Sequence, residues 1–181
     1  MLIKKHRVSL LAAGIFAVAA TSASATTMLQ MSFEDLVADS ALVVVGEAVD
    51  SRVVDSATDG RMTITSFKVT DAIVGSAGSV VEVATPGGSF RSGKFRLRES
   101  TADTPLFAIG SEHMLFLNAG PQSALAVVGV NQGAAAIFDS KSGPSVMLPG
   151  GEGTMSLSKA TARVRAEREA ADRRADRETA E

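Results

Sequence analysis

The stretch LVVVGEAVDSRVV, residues 42–54, decides the fold class of this chain. It is dense in β-branched residues, and its apolar side chains increasingly alternate with polar ones, which is the pattern of a β-strand. The composition of residues 55–60 predicts a turn. Residues 61–74 then alternate again, and their apolar phase slips between Ile64 and Phe67. The pattern therefore predicts two long strands joined by a turn, the second of them bent by a β-bulge.

Further strands follow at short intervals. They are predicted over residues 79–85, 112–117, 124–130 and 134–138, and the first of these ends at Pro86, Gly87 and Gly88. Residues 89–105 are polar, basic and irregular, and a brief alternation at 94–98 predicts a small hairpin arm. Five or six strands joined by turns, with no helices alternating between them, indicate a mainly β domain built as a small closed antiparallel barrel or as a sandwich.

Helices are predicted at both ends of this β region. Residues 32–39 have helical apolar spacing, with Ser32 placed to cap the helix. Residues 159–181 hold seven basic and six acidic side chains and almost no large apolar ones. This predicts either a solvated single helix or a disordered tail that does not dock firmly. The pattern divides the chain into an N-terminal segment 1–25, a β domain 26–140, a Gly/Pro-rich linker 141–156 and a charged tail 157–181.

The N-terminal segment has the layout of a secretory signal peptide. An apolar block at residues 10–20 follows Lys4, Lys5 and Arg7 and precedes the small-residue cleavage site at residues 23–25. The block is about half of the ~20 residues that a membrane-spanning helix needs. We therefore expect cleavage before Thr26, a periplasmic or extracellular location, and no stable membrane insertion of the mature chain.

Composition narrows the chemistry of that mature chain. Without residues 1–25 it carries 15 basic and 20 acidic side chains, a net charge of −5. Such a mildly acidic chain is not expected to bind nucleic acid, which requires a basic surface. The sequence contains no cysteine, and His113 is the only histidine of the mature chain. One imidazole excludes a His-rich zinc site and leaves a Ser-His-Asp triad only formally open. No catalytic motif occurs, so we expect no enzyme activity, no cofactor and no metal.

The predicted arm carries the main candidate binding residues. Four cations, Arg91, Lys94, Arg96 and Arg98, are interleaved with Phe90 and Phe95. Basic and aromatic residues in this order are typical of grooves that hold single-stranded nucleic acid. The same residues also suit an anionic surface polymer or an acidic partner protein, or simply an exposed, solvated loop. The preceding Pro86-Gly87-Gly88 lacks the lysine and following helix of a phosphate-binding loop and predicts a turn that ends a strand.

The order of these parts resembles the netrin-like domain of the tissue inhibitors of metalloproteinases. The resemblance is carried by residues 40–49, 67–75, 80–85 and 109–117. It implies an OB-like five-stranded antiparallel barrel with a short N-terminal helix. It also implies a noncatalytic role in which the mature N-terminus, here Thr26, Thr27 and Met28, and the neighbouring loop at Pro86, Gly87, Gly88 and Phe90 contact a protease. The cysteines that tie that N-terminus to the barrel in the family have no counterpart in this sequence.

Together these observations predict an exported, noncatalytic binding module. Its expected partner is a protein, and an extracellular protease bound through the N-terminal edge is the most specific candidate. The alternative is a structural or adaptor component of the cell envelope that binds protein or polysaccharide through its basic arm and charged tail.

Overall fold

The computed structural model describes residues 30–101, 103–148 and 152–179. The predicted signal peptide and the predicted contacts of Thr26, Thr27 and Met28 lie outside these residues. The described elements are α1 (Phe33–Ala38), β1 (Leu42–Ser56), β2 (Gly60–Val74), β3 (Val80–Pro86), β4 (Gly88–Ser92), β5 (Phe95–Glu99), β6 (Glu112–Ala119), a 3₁₀ turn (Pro121–Ser123), β7 (Leu125–Val127), β8 (Ala134–Ser140), β9 (Gly143–Leu148), β10 (Gly153–Ser156) and α2 (Leu157–Thr179). The protein is mainly β, as predicted.

The hairpin β1–β2 contains the two longest strands of the sheet. Its antiparallel pairing runs from Val43 opposite Val74 to Ser56 opposite Gly60. The register shifts at three places: Ile73 and Thr70 are extra residues in β2, and Val49 is an extra residue in β1, opposite Phe67 and Ser66. Between Ile64 and Phe67, where the sequence predicts a bulge in β2, the extra residue therefore belongs to β1.

The strand pairings form a circuit. The order is β1-β2-β3-β7-β6, and β6 pairs back onto β1 over residues 42–47. All of these pairings are antiparallel except β3–β7, where Val83 and Ala84 pair in parallel with Leu125 and Ala126. The prediction of a purely antiparallel arrangement is therefore wrong, because β7 folds back from β6 as an antiparallel neighbour and so runs in the same direction as β3.

Two apolar layers cover opposite faces of β1 and β6. One layer lies inside the strand circuit and includes Val44, Phe67, Val83 and Leu115. The other layer places the two helices and the β8–β9 hairpin against the opposite face of the same strands. Residues 42–45 of β1 are buried on both faces for this reason, which explains why that half of the strand is a continuous apolar run.

The C-terminal helix docks on the body of the protein, so the prediction of a tail without firm docking is wrong. Ala160 and Val164 of α2 are fully buried beside Phe33 and Leu36 of α1. Arg163 pairs with Glu34 and with Glu152, and its guanidinium lies 4.4 Å from the centroid of the Phe33 ring. Two small apolar side chains and the stem of one arginine therefore seat the helix, although its composition is highly charged.

The described parts of the range predicted to be a linker, 141–148 and 152–156, also belong to the folded structure. They contain β9 and β10, which extend the sheet beyond β8. Val146 and Leu148 of β9 are buried in the same layer as the helices. Gly143 follows the tight turn between β8 and β9, with a φ of +102°, and Pro144 lies in β9 opposite Asp139. No helix in the described ranges is both long and apolar enough to cross a membrane.

Candidate functional site

A groove of about 430 Å³ lies where β1, β2 and β3 extend past the strand circuit. Its floor is formed by Ser51 and Val53 of β1, Thr63 and Thr65 of β2, and Thr85 of β3. One wall is the β4–β5 hairpin, which we call the arm, and the other wall is the segment 104–108. The predicted arm is thus confirmed as a hairpin, and it borders a cavity.

The floor is a polar continuation of the core. In the circuit, Phe67 pairs with Ala48 and Val81, and all three are buried in the inner layer. Side chains two residues apart on a strand share a face. The next rows outward on that face are therefore Thr65 beside Ser51, and then Thr63 between Val53 and Thr85. Side chains that carry hydroxyls replace purely apolar ones on this face, and threonine keeps the β propensity of the strands. Thr65 and Thr85 are buried.

The root of the arm is held close to the sheet. Gly87 N donates to Arg61 O at 2.7 Å, and Thr63 Oγ1 donates to Gly87 O at 2.8 Å. Gly87 has a φ of +89°, and a Cβ there would lie 2.4 Å from Glu99 O. Only glycine fits this conformation and this spacing.

Arg61 of β2 contacts the arm on the face that carries Phe90 and Glu99. Its guanidinium lies 3.6 Å from the centroid of the Phe90 ring, and it pairs with Glu99 of β5 and with Asp55 of β1. Its side chain is 19% exposed, so these contacts are partly shielded from water. The arm is therefore braced on the sheet at its root.

The two faces of the arm differ in chemistry. Ser89 pairs with Arg98 and Arg91 pairs with Arg96, so these side chains share one face. Phe90, Leu97 and Phe95 lie on the other face. Ser89 and Arg98 of the first face line the groove, and Gly88 and Glu99 of the second face line it at the root of the arm. We call Arg91, Arg96 and Arg98 the basic face.

The basic face has no internal counter-charge. Within the described ranges, none of its three arginines forms an ion pair, although most other arginines do: Arg52, Arg61, Arg163, Arg165, Arg168 and Arg173. Arg52, by contrast, pairs with Glu82 at 2.5 Å, and its hydrogen bonds lower the pKa of the Glu82 carboxyl. Like charges placed opposite each other, as Arg91 and Arg96 are, destabilise a hairpin. Such an arrangement favours an external anion.

The far wall of the groove is anchored by aromatic packing. Phe107 lies edge-on to Phe67, with ring centroids 4.9 Å apart, and edge-on to His113 at 5.1 Å. His113 lies in β6 between β1 and β8, and it is 9% exposed. It therefore belongs to the core, where it supports the segment that ends the groove.

Hydrogen bonding at Ser111 indicates the tautomer of His113. Ser111 Oγ lies 2.6 Å from Ala108 O and 2.9 Å from His113 Nε2. The single hydroxyl proton goes to the carbonyl, so the imidazole donates from Nε2 and leaves Nδ1 as a buried atom without a partner. Burial also lowers the pKa of His113. The serine and histidine thus resemble two members of a triad, but no carboxylate of the described residues meets Nδ1, and the hydroxyl is already engaged.

The structure distributes the predicted site residues around the groove. Pro86, Gly88 and Arg98 line it, Gly87 holds its root, and Arg91 and Arg96 continue its basic face. Phe90 lies under Arg61, and Lys94 stands at the tip of the arm with its Nζ 5.8 Å from the centroid of the Phe95 ring. In the described part of the chain, no three His, Asp or Glu side chains are grouped so that they could hold a metal ion.

Sequence reasoning missed the floor of the groove. The sequence pattern predicts strands at Ser51, Thr63, Thr65 and Thr85 and assigns them no further role. It places Thr104, whose Oγ1 is buried without a partner among the described residues, in the irregular segment. A signal was present, because Thr63 and Thr65 alternate in phase with the apolar Phe67. Hydroxyls that fall on the core phase of a strand mark a face that leaves the core.

The turn at residues 128–133 connects the described N-terminal end with the Pro86 loop. Met31 N donates to Gln132 Oε1 at 2.7 Å, and a Cβ at Gly129 would lie 2.8 Å from Met31 Sδ. On its other side, Val130 shares a cavity of about 270 Å³ with Pro86. The chain immediately before α1 and the root of the arm are therefore neighbours across this turn.

No protein-family model matches this chain, and no curated protein is significantly similar to it.

Proposed function

We propose that this protein is an exported, noncatalytic binding module that holds an acidic protein partner in the groove between its arm and its sheet. The observation that carries the proposal is the basic face. Arg98 lines the cavity above the floor of Ser51 and the threonines, and Arg91 and Arg96 stand beyond it on the same face of the arm. Within the described ranges, none of the three forms an ion pair. Guanidinium groups bind carboxylates with paired, charge-assisted hydrogen bonds.

The proposal includes an OB-like barrel formed by the circuit β1-β2-β3-β7-β6. The return pairing of β6 onto β1 and the apolar layer inside the circuit support it. OB-folds bind ligands across the face of their second and third strands. The groove, with Thr63, Thr65 and Thr85 on its floor, lies on the corresponding strands of this chain.

A noncatalytic role is supported by the state of its most reactive group. His113 packs against Phe67 and Phe107, and its Nε2 is engaged by Ser111. A general base must reach the proton that it takes. The Nδ1 atom of His113 is buried, so it meets no substrate in this arrangement.

The test is binding of labelled polyglutamate to the mature chain, followed by fluorescence anisotropy. We expect binding that weakens as salt is raised, because salt screens exposed charges. The double variant Arg96→Gln/Arg98→Gln should lose about tenfold in affinity, which is the loss of two contacts of up to ~1 kcal/mol each. A matched control, Arg174→Gln/Arg177→Gln, makes the same change in net charge on the exposed end of α2 and should bind as the parent does.

The same experiment separates the alternative partner class. An acidic polysaccharide such as a polyuronate is run beside polyglutamate. Binding of the polyuronate alone would favour the envelope adaptor, and equal loss of binding in both double variants would contradict a site on the arm.

A second candidate is protease binding through the N-terminal edge. It is favoured by the turn at residues 128–133, which contacts Met31 and shares a cavity with Pro86. A panel of zinc metalloproteases should then be inhibited by mature chain with a free Thr26, and not by chain with one extra residue ahead of it. The same result from both forms would contradict this candidate.

A further inference from the structure

We propose that the acidic partner binds as an extended strand along the free edge of β5, with carboxylates at alternate positions facing Arg96 and Arg98. This inference rests on the proposed function and specifies the conformation and the sequence pattern of its ligand. Four features of the arm support it: a free backbone edge, the direction of its backbone groups, the spacing of its cations, and the like charges that oppose pairing with a second copy.

The edge of β5 is unpaired. In the described chain β5 pairs only with β4, from Ser92 opposite Phe95 to Gly88 opposite Glu99. A strand edge of this kind offers a row of N–H and C=O groups to another chain. Peptides commonly bind proteins by adding a strand to such an edge.

The register of the arm shows which backbone groups face outward. Ser92 and Phe95 flank a two-residue loop, Gly93-Lys94, and Gly93 has a φ of +60°. A glycine in this conformation at the first central position is typical of the type II′ hairpin turn, in which the flanking residues are hydrogen-bonded to each other. Hydrogen-bonded and non-hydrogen-bonded pairs alternate along an antiparallel ladder. The backbone groups of Arg96 and Arg98 therefore point away from β4, toward the free edge.

The same two residues thus supply both the backbone pairing and the positive charge. Arg96 and Arg98 are two residues apart on a strand, so they lie about 7 Å apart on one face. An added strand places its own alternate side chains at the same spacing. Carboxylates two residues apart in an extended ligand then lie directly opposite the two guanidinium groups.

The opposite face of the arm predicts what lies between those carboxylates. Phe95 is 62% exposed and Leu97 is 45% exposed. In an added strand, the residues between the carboxylates project toward this face. Apolar and β-branched residues there would cover Leu97 and extend the strand. The preferred ligand therefore alternates acidic and apolar residues.

A second copy of this chain is a poor occupant of the edge. Two β5 strands paired antiparallel about Leu97 would bring Arg96 opposite Arg98. Directly opposed like charges destabilise a strand pair, and charged residues on an edge are a common protection against self-association. The charges that exclude a second copy are the ones that attract an acidic strand.

The test compares two peptides of one composition. In the first, glutamate and valine alternate. In the second they occur as pairs, Glu-Glu-Val-Val repeated, so that no two glutamates are two residues apart. We expect the alternating peptide to bind the mature chain about tenfold more tightly, because only it engages both arginines in extended form.

N-methylation of the alternating peptide tests the backbone pairing. The glutamates face Arg96 and Arg98, whose backbone groups point outward, so N-methylation of the glutamates should abolish binding. N-methylation of the valines, whose N–H groups point away from β5, should leave it unchanged. The two methylated peptides have the same size and charge and serve as controls for each other.

The outcomes distinguish the two proposals. Equal affinity for the alternating and the paired peptide, or tolerance of N-methylated glutamates, overturns strand addition. If the Arg96→Gln/Arg98→Gln variant still loses affinity in that case, the acidic-ligand function stands without it. Absence of binding to either peptide and to polyglutamate overturns both.

Discussion

At the scale of single residues, the most telling group is His113. It was the only imidazole available for catalysis, and the structure uses it as packing between Phe67 and Phe107. The sequence predicts that His113 is at least partly buried, because it lies in a predicted strand beside the apolar run 114–117. Its hydrogen bond to Ser111 and the loss of a partner for Nδ1 depend on how the segment before β6 folds back.

We predict that His113 makes the protein less stable in mild acid. Burial lowers the pKa of His113 below its ordinary value of 6.5. The unfolded chain therefore binds a proton before the folded chain does as the pH falls through 6.5. The free energy of unfolding should be highest above that value and should fall below it, down to the folded-state pKa.

The measurement is urea unfolding at several values between about pH 8 and about pH 5, compared with His113→Gln. Glutamine keeps a donor for Ser111 and does not titrate, so the variant should show a shallower decline on acidification. Identical slopes in the two proteins would contradict a neutral, buried histidine.

At the scale of elements, the arm is a hairpin that local sequence predicts, but its position depends on residues elsewhere in the chain. Its alternation was predicted at 94–98, and the hairpin forms with Arg91 opposite Arg96. Its placement over the sheet depends on the contacts of Gly87 with Arg61 and Thr63. These partners are more than 20 positions away in the sequence, so local periodicity contains no information about them.

We predict that Gly87→Ala displaces the arm. A Cβ there meets Glu99 O at 2.4 Å, and the φ of +89° is strained for alanine. The change should lower the free energy of unfolding by about 1–3 kcal/mol and should also weaken binding of the acidic ligand. Thermal unfolding and fluorescence anisotropy measure the two effects.

The matched control is Gly60→Ala. Gly60 has a φ of +73° and open space around it, so alanine there adds backbone strain without the clash. Its cost should be smaller, and its effect on binding should be absent. Equal effects of the two substitutions would show that the close approach at Gly87 is not what positions the arm.

At the scale of the whole molecule, α2 joins the two ends of the described chain. Val164 and Ala160 pack beside Phe33 and Leu36, and Arg163 connects Glu34 with Glu152. The pKa of Glu34 is lowered by a hydrogen bond from the backbone of Glu34 itself and by a hydrogen bond from Arg163. The helix therefore closes the outer apolar layer and belongs to the same folded unit as the sheet.

We predict that Val164→Ala destabilises the entire protein. The side chain is fully buried, so its truncation leaves a cavity in the layer shared by both helices. We expect a loss of about 1–3 kcal/mol in the free energy of unfolding, in a single transition. Urea unfolding followed by circular dichroism measures it.

The control is Arg177→Ala, an exposed position near the end of α2 that should change stability by less than about 0.5 kcal/mol. A helix that unfolds separately, with the strands unaffected by Val164→Ala, would contradict the coupling.

The amino-acid sequence by itself determined the local elements of this protein. Apolar runs and side-chain alternation mark β1, β2, β3 and β6, and Ser32 caps α1, with its Oγ accepting from Asp35 N at 3.0 Å. Each of these depends on residues that are neighbours in the chain. Tertiary structure decided the rest: the parallel pairing of β3 with β7, the docking of α2, and the assembly of Ser51, Thr63 and Thr85 into one floor. The reason is that these features join segments distant in sequence, where the stability of each contact depends on the burial supplied by the others.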